Sequence, residues 1–110
     1  MQDQCIFCKI VERQIPAKVE YEDEYVLVFH DINPKAPVHL LVIPKIHIPT
    51  MMDVAEDQLH LIAHMHKVAQ LMFNKLDFAG MRLVNNCKEK GGQEVFHLHY
   101  HILGWREQDE

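Results

Sequence analysis

Long hydrophobic runs are absent from this sequence. No apolar stretch approaches the roughly 18 residues that a membrane-spanning helix requires. The first ten residues, MQDQCIFCKI, lack the basic start and apolar stretch of a signal peptide. Cysteine is scarce, with Cys5, Cys8 and Cys87 forming an odd set without an export signal. We therefore expect a cytoplasmic protein with reduced thiols and no membrane partner.

Positive charge is also in deficit. The formal net charge is −5, and acidic residues cluster between Glu20 and Glu24. Proteins that bind polynucleotides usually carry a basic stripe, because neutralising phosphates dominates their affinity. The composition therefore argues against a DNA or RNA partner, whereas a small phosphate-bearing ligand needs only a few donors. We interpret the acidic cluster as a solvated turn.

Repeats, low-complexity tracts and linkers are lacking too, so we expect residues 1–110 to form one domain. The patterns predict, in chain order, a short helix, three strands, a long helix and two further strands. The predicted ranges are 5–14 for the short helix, 17–21, 25–30 and 38–43 for the first three strands, 54–75 for the long helix, and 81–85 and 94–103 for the last two strands. We expect a capping box of Asp53 and Glu56 at the start of the long helix. Strands grouped on either side of one long helix indicate an α+β domain with an antiparallel sheet.

Histidine is the residue that the chain has in excess. Nine occur in 110 residues, and His97, His99 and His101 alternate within EVFHLHYHIL. On an extended strand these three side chains lie on one face, about 7 Å apart. Ligands on one flat strand diverge too much to close a tetrahedral zinc site, so the row favours chemistry near neutral pH. The opposite face is apolar and carries Phe96, Leu98, Tyr100 and Ile102.

Two glycines, Gly91 and Gly92, come just before this strand, and Asn86 lies a few residues earlier. Glycines let a backbone approach a ligand closely and present bare N–H groups to an anion. A hairpin turn explains the pair nearly as well. Its position before the histidines favours a phosphate-binding loop beside a nucleophile.

The segment His-Leu-His-Tyr-His-Ile-Leu at 97–103 resembles the signature of the histidine-triad (HIT) family, in which three histidines alternate with apolar residues. The similarity extends over almost the whole chain, and within the family it is strongest to the Hint branch of nucleotide-binding proteins. Its other landmarks are Ile15-Pro16-Ala17-Lys18; Phe29-His30-Asp31-Ile32 with Pro34, Pro37 and His39; Leu41-Val42-Ile43-Pro44-Lys45 with His47; and Gly91-Gly92-Gln93.

The resemblance implies a fold and an activity. The fold is a five-stranded antiparallel sheet with one long and one short helix, which pairs with a second copy as a two-fold homodimer. The activity is hydrolysis of purine nucleoside phosphoramidates, and of acyl or lysyl adenylates, at the α-phosphate through a nucleotidyl-histidine intermediate. No catalytic metal is needed for this reaction.

The resemblance also implies roles for individual residues of this chain. His99 would be the nucleophile, His97 and His101 would flank the α-phosphate, and His39 would support the triad. The nucleotide-binding positions would be Phe7, Ile10, Phe29, Asp31 and Ile32 around the base and ribose, and Asn86, Gly92 and Val95 near the phosphate.

Cys5 and Cys8 have the C-x-x-C spacing of half a zinc site. Two thiolates need two further ligands, and some bacterial HIT proteins similarly use the histidine after Pro-Lys-x and the first triad histidine. Those positions are His47 and His97 here, so a structural zinc on these four residues is one prediction. Two buried free thiols or a redox pair are the alternatives. A zinc-bound His97 would have less freedom to act on the phosphate.

Two other functions remain open. One is a dinucleoside-polyphosphate hydrolase or nucleotidyltransferase on the same fold, although that branch usually lacks the Gly-Gly-Gln arrangement. The other is a nucleotide-binding regulator without significant catalysis, against which the complete set of histidines argues. The choice between adenine and guanine also stays open, because apolar base walls such as Phe7 and Ile32 accept both.

Overall fold

A computed structural model describes residues 4–110 and shows a five-stranded antiparallel sheet with one short and one long helix. The spatial order of the strands is β1-β2-β3-β5-β4. The predicted α+β class and element order are confirmed. The helices are α1 (Ile6–Val11) and α2 (Leu59–Lys75), and the strands are β1 (Val19–Glu22), β2 (Val26–His30), β3 (Val38–Pro44), β4 (Gly80–Val84) and β5 (Tyr100–Trp105). Within residues 4–110, neither helix combines the length and the apolar character that crossing a bilayer would need.

The sheet is built around β3, all seven of whose residues are buried. Because successive side chains point to opposite faces, β3 contributes to two hydrophobic clusters. The larger cluster packs the sheet against α2 and includes Leu40, Met65 and Ile102. The smaller cluster packs it against α1 and includes Phe7 and Phe29. The face that carries α1 also carries the histidines of the site.

The short helix α1 covers Ile6–Val11 rather than the predicted 5–14. Cys5 caps its N-terminus, since its Sγ accepts a hydrogen bond from the backbone N–H of Cys8 at 3.2 Å. Beyond the helix, Arg13 adopts a left-handed conformation with a φ of 65°. That conformation is incompatible with a right-handed helix and ends α1 before Pro16.

The long helix begins at Leu59 rather than at residue 54. Two single turns of 3-10 helix precede it, and each has its own side-chain cap. In the first turn, the Asp53 carboxylate accepts hydrogen bonds from the backbone N–H and the hydroxyl of Thr50. In the second turn, the Gln58 side-chain oxygen accepts one from the backbone N–H of Ala55. The predicted capping box of Asp53 with Glu56 is therefore wrong. Local side-chain bonds compete with helix formation here and delay the start of α2.

The predicted last strand, 94–103, is wrong at its start. Strand pairing begins only at Tyr100, and the six residues before it are irregular. The backbone N–H of Leu98 donates to the carbonyl of Ile48 at 2.6 Å, which ties this segment to the loop after β3 instead of to a neighbouring strand. As a result Phe96, which the alternation places in the core, is 40% exposed. Leu98 is fully buried, as predicted.

The acidic cluster at 20–24 is only in part the solvated turn that we expected: Glu20 and Glu22 lie in β1, and of the four acidic residues only Glu22 and Glu24 are exposed. Asp23 accepts hydrogen bonds from the backbone N–H groups of Tyr25 and Val26 and contacts His64 of α2 at 2.7 Å. The turn is therefore fastened to the long helix. The carboxylate contacts are Glu20 with His30 and Lys75, Glu22 with Arg13 and Lys45, and Asp23 with His64.

Candidate active site

Three histidines form a contiguous group on the α1 side of the sheet. His39 comes from β3, His101 from β5, and His99 from the segment just before β5. The ring centroids of His99 and His101 are 5.0 Å apart, and those of His101 and His39 are 5.2 Å apart. The structure thus brings together the predicted nucleophile and two of its predicted neighbours.

His99 has the hydrogen bonding that a nucleophilic imidazole requires. Its Nδ1 lies 2.7 Å from the backbone carbonyl of His97, and a carbonyl only accepts, so Nδ1 carries the ring proton. Its Nε2 makes no hydrogen bond with any described residue. Burial lowers the pKa of His99 below its usual value, so the ring is neutral at pH 7. The edge of the Phe7 ring packs against it, with centroids 5.1 Å apart.

His39 and His101 share one hydrogen bond, with 2.9 Å between Nε2 of His39 and Nδ1 of His101. On its other side, Nδ1 of His39 accepts from the backbone N–H of Lys35 at 3.0 Å. A carboxylate oxygen of Asp31 lies 3.5 Å from Nε2 of His39. Burial lowers the pKa of both histidines, that of His101 to about 4. Both rings are therefore neutral at pH 7, and each carries a single proton.

The predicted base-binding residues are partly assembled. Phe7 and Phe29 meet edge to face at 5.4 Å, and Ile10 belongs to the same packed cluster. Val95, which we expected near the phosphate, is partly buried and packs against this cluster. Phe7, Ile10 and Phe29 thus form an apolar wall, in which Phe7 is the residue that packs against His99. Ile32, in contrast, is 91% exposed, so the structure does not bring it into this wall.

The predicted phosphate-binding residues Asn86 and Gly92 lie together in the loop between β4 and β5. A Cβ atom on Gly92 would lie 3.8 Å from the side chain of Asn86, and Gly92 has a φ of 93°, which favours glycine. Both residues are solvent-accessible. The loop is braced by Gln93, whose buried side chain donates to the carbonyls of Pro49 and Val95.

The two N-terminal cysteines meet the two histidines expected from the resemblance. Nδ1 of His97 lies 3.3 Å from Sγ of Cys5 and 3.4 Å from Sγ of Cys8, and Nδ1 of His47 lies 3.2 Å from Sγ of Cys8. All four ligand atoms lie within 4.8 Å of one another. In a tetrahedral site with ordinary zinc bond lengths, neighbouring ligand atoms are about 3.5 Å apart. The donor set and its spacing therefore fit zinc.

The hydrogen bonding of His97 agrees with this fit. Its Nε2 donates to the carbonyl of Pro44 at 2.8 Å, so Nδ1 is unprotonated and its lone pair faces the cysteines. Burial lowers the pKa of His97 to about 4, which keeps the ring neutral. Both ring nitrogens are thus engaged away from the neighbouring His99. This geometry favours metal binding by His97 over direct contact between His97 and a phosphate. Both roles of His97 stay predictions.

A groove of about 470 Å³ opens beside the cysteine and histidine cluster. It is lined by Ile6, Pro49, Val95 and Phe96 together with Cys5 and His47. Because His99 and His101 do not line it, this groove is not the place where the predicted chemistry would occur.

Sequence reasoning missed three groups that hold the histidines. The side-chain amide of Asn85 donates to the carbonyl of His99 at 2.9 Å, and its buried Oδ1 has no partner among the described residues. The other two groups belong to the backbone: the N–H of Lys35 and the carbonyl of Pro44. Backbone groups leave no trace in residue type, and no sequence signal separates Asn85 from Asn86.

Comparisons with known proteins agree with the fold and the histidine arrangement. Residues 4–110 match a family model described as "Scavenger mRNA decapping enzyme C-term binding". The purine nucleoside phosphoramidase of Escherichia coli K12 is 43% identical over 108 residues, which cover 96% of this chain and 91% of that protein. A histidine triad protein from Clostridium difficile has a TM-score of 0.93 at 42% identity, covering 100% of this chain and 97% of that one.

A second solved structure, a HIT family hydrolase from Clostridium thermocellum, has a TM-score of 0.93 at 43% identity and covers 100% of this chain and 97% of that one. The fold, the clustered histidines and these similarities together define a histidine-triad protein related to hydrolases. The chain belongs to the HIT family. Its relatives include a purine nucleoside phosphoramidase, and hydrolase activity is supported at this level.

Proposed function

We propose that this protein hydrolyses purine nucleoside phosphoramidates, and related acyl or lysyl adenylates, at the α-phosphate through a nucleotidyl-His99 intermediate. The observation that carries the proposal is the state of His99. Its ring is neutral, Nδ1–H donates to the carbonyl of His97, and Nε2 has no hydrogen-bond partner among residues 4–110. The 43% identity to a purine nucleoside phosphoramidase supports the choice of substrate class.

The reaction follows from these groups in two displacements. Nε2 of His99 attacks phosphorus and forms a P–N bond, while the bond from phosphorus to the leaving amine breaks. Positive charge that develops on the ring is stabilised by the His97 carbonyl at Nδ1–H. His101, whose ring is 5.0 Å from His99, donates a proton to the departing amine. Water then attacks the nucleotidyl-histidine, gives one proton back to His101, releases the mononucleotide and restores the free imidazole of His99.

The substrate would bind along the α1 side of the sheet. The apolar wall of Phe7, Ile10 and Phe29 would hold the purine base. The carboxylate of Asp31, 3.5 Å from the His39 ring, would accept hydrogen bonds from the ribose hydroxyls. Backbone N–H groups near Gly92 would stabilise negative charge on the phosphoryl oxygens, which is often the largest electrostatic contribution to catalysis.

The deciding experiment is a steady-state assay with a fluorogenic adenosine tryptamine phosphoramidate, with diadenosine tetraphosphate assayed in parallel. We expect wild-type turnover of the phosphoramidate and a loss of about a thousandfold or more in kcat for His99→Ala, with AMP binding retained. His66→Ala, on the exposed face of α2, is the matched control and should keep wild-type activity. Normal turnover by His99→Ala would contradict the proposed nucleophile, and cleavage of diadenosine tetraphosphate alone would contradict the substrate class.

We also propose that Cys5, Cys8, His47 and His97 hold a structural zinc ion. Bound there, the ion would compensate thiolate charge and link α1 to the loop after β3 and to the segment before β5. Metal analysis of protein purified without chelator should find about one zinc per chain, and Cys8→Ser should reduce it. Metal-free protein in that analysis would contradict the site.

The edge strand β4 is the surface that we propose pairs two copies into a homodimer. Its outer backbone groups have no partner within the described residues, and Leu83 is 37% exposed on it. Unpaired edges are ready templates for a further strand. Light scattering should give twice the monomer mass for the wild type. Leu83→Lys should shift the distribution towards the monomer, and a monomeric wild type would contradict the proposal.

A further inference from the structure

We propose that the backbone amide of Lys35 is a positioning group of the active site. Its N–H determines where the protons lie on His39 and His101, so that Nε2 of His101 carries the proton that the leaving group needs. The kinetic consequence rests on the proposed function, whereas the proton positions themselves do not.

The first step is the tautomer of His39. An amide N–H can only donate, so Nδ1 of His39, 3.0 Å from the nitrogen of Lys35, must accept with its lone pair. A neutral imidazole has one ring proton, which is then on Nε2. Asp31 acts in the same direction, because its carboxylate oxygen, 3.5 Å from Nε2, can only accept. The side chain of His39 is 4% exposed, so water has little access to alter this arrangement.

In the second step, the position of the proton on His39 determines the position of the proton on His101. Since Nε2 of His39 donates, Nδ1 of His101 at 2.9 Å must accept, and the ring proton of His101 is therefore on Nε2. That nitrogen makes no hydrogen bond with any described residue, and the ring of His101 lies next to that of His99. His101 consequently offers a proton donor beside the nucleophile. With the opposite tautomers it would offer a lone pair instead, which cannot protonate a departing amine.

The loop between β2 and β3 holds the amide in place. Pro34 and Pro37 restrict its backbone and have no N–H of their own. The loop is closed by the N–H of Asp31, which donates to the carbonyl of His39 at 2.9 Å, and by the N–H of Asn33, which donates to the carboxylate of Asp31 at 2.8 Å. The donor to His39 therefore comes from a constrained segment.

The same hydrogen bond disfavours a metal ion in the catalytic group. Asp31, His39 and His101 present three ligand atoms within 4.8 Å of one another, an arrangement that a divalent cation can accept. The proton on Nε2 of His39 blocks that nitrogen, and moving it to Nδ1 would set two N–H groups against each other at Lys35. His97 has the same tautomer, but there the unprotonated Nδ1 is the nitrogen that faces the cysteines. Hydrogen bonding thus separates a proton-donating cluster from a metal-binding one.

Long-range ¹H–¹⁵N spectra of the labelled full chain at pH 7 test the proposal without a substrate. Unprotonated ring nitrogens resonate far downfield of protonated ones. We expect Nδ1 unprotonated and Nε2 protonated in both His39 and His101, and the opposite pattern in either ring would overturn the proposal. Zinc added beyond the first equivalent should leave these signals unchanged, and a shift would overturn the exclusion of metal.

Lys35→Pro removes the amide hydrogen, and Lys35→Ala keeps it. The wild-type ring pattern should persist in Lys35→Ala and become mixed in Lys35→Pro, with kcat lowered about 10- to 100-fold at similar KM. A wild-type pattern in folded Lys35→Pro would overturn the role of the amide and leave Asp31 as the determinant. If Lys35→Pro does not fold, Asp31→Ala decides between the two groups: the wild-type ring pattern should persist in it, and a mixed pattern would overturn the role of the amide. Failure of the proposed reaction would leave the spectra unaffected, so the two results are distinguishable.

Discussion

The carboxylate of Asp23 should make the stability of this protein depend on pH in a defined way. Burial by itself raises the pKa of Asp23, but hydrogen bonds from His64, from the Tyr25 and Val26 backbone and from Tyr21 outweigh it and lower the pKa from 3.8 to about 2. Because the folded-state pKa lies below the unfolded one, folding favours the ionised form. This stabilisation is present above about pH 4 and is lost as the pH falls towards 2.

The magnitude follows from the size of the pKa change. At about 1.4 kcal/mol for each pKa unit, Asp23 contributes about 2.5 kcal/mol at neutral pH, and about half of this remains at pH 3. The side chain is 23% exposed, so the value needs no large correction for solvent screening. The contribution is a sizeable fraction of the stability of a domain of this size.

Urea unfolding of the wild type and Asp23→Asn at pH 7, 5, 4 and 3 measures this contribution. The variant cannot ionise, so it should be less stable by about 2.5 kcal/mol at pH 7 and 5 and by about half of that at pH 3. Asp57→Asn, at an exposed carboxylate, is the control and should change stability by less than about 0.5 kcal/mol. A difference for Asp23→Asn that is negligible at pH 7, or that does not shrink with falling pH, would refute the reasoning.

Other substitutions test the packing and the site. A Cβ on Gly104 would lie 2.2 Å from the Phe78 ring, so Gly104→Ala should cost about 1–3 kcal/mol in a urea titration, and Phe78→Leu should relieve part of that cost; strictly additive effects would speak against the clash. Leu98→Ala should cost about 2–5 kcal/mol because Leu98 is fully buried, and a smaller loss would mean that the irregular segment repacks easily. Phe7→Ala should weaken AMP binding about tenfold by calorimetry, and unchanged binding would remove Phe7 from the base wall. Ile32→Ala should leave the free energy of unfolding within about 0.5 kcal/mol of wild type, because Ile32 is exposed.

Local patterns predicted most of the fold. The continuous apolar run of β3 predicted a strand, and the side chains of that strand are buried on both faces of the sheet. The helical spacing of apolar residues in α2 predicted a helix, and that helix buries one face. The start of β5 could not be predicted in the same way, because alternation continues through Phe96 although the backbone does not pair there. Its bond to Ile48 joins residues far apart in sequence, and no local pattern carries that information.

The site was predictable to the extent that its residues are adjacent in sequence or shared with a known family. Alternation placed His99 next to His101, and the resemblance added His39 from a distant strand. The proton positions were not predictable, because they depend on a carbonyl of His97 and an amide of Lys35. Backbone groups of this kind acquire a role only when the fold brings them to a side chain.

The brevity of α1 has a consequence for local opening. Six residues are too few for a helix that is stable alone, so α1 keeps its place through Phe7, Cys8 and Ile10 and through the cluster of thiols and imidazoles. Its detachment would leave the larger core against α2 intact, so its amides should exchange with deuterated solvent well before those of β3. The base wall and the cysteine cluster would open together in that event. A nucleotide at the base wall would therefore strengthen metal binding at the cysteine cluster, because both keep α1 in place. A metal at the cysteine cluster would strengthen nucleotide binding by the same factor, as thermodynamic linkage requires.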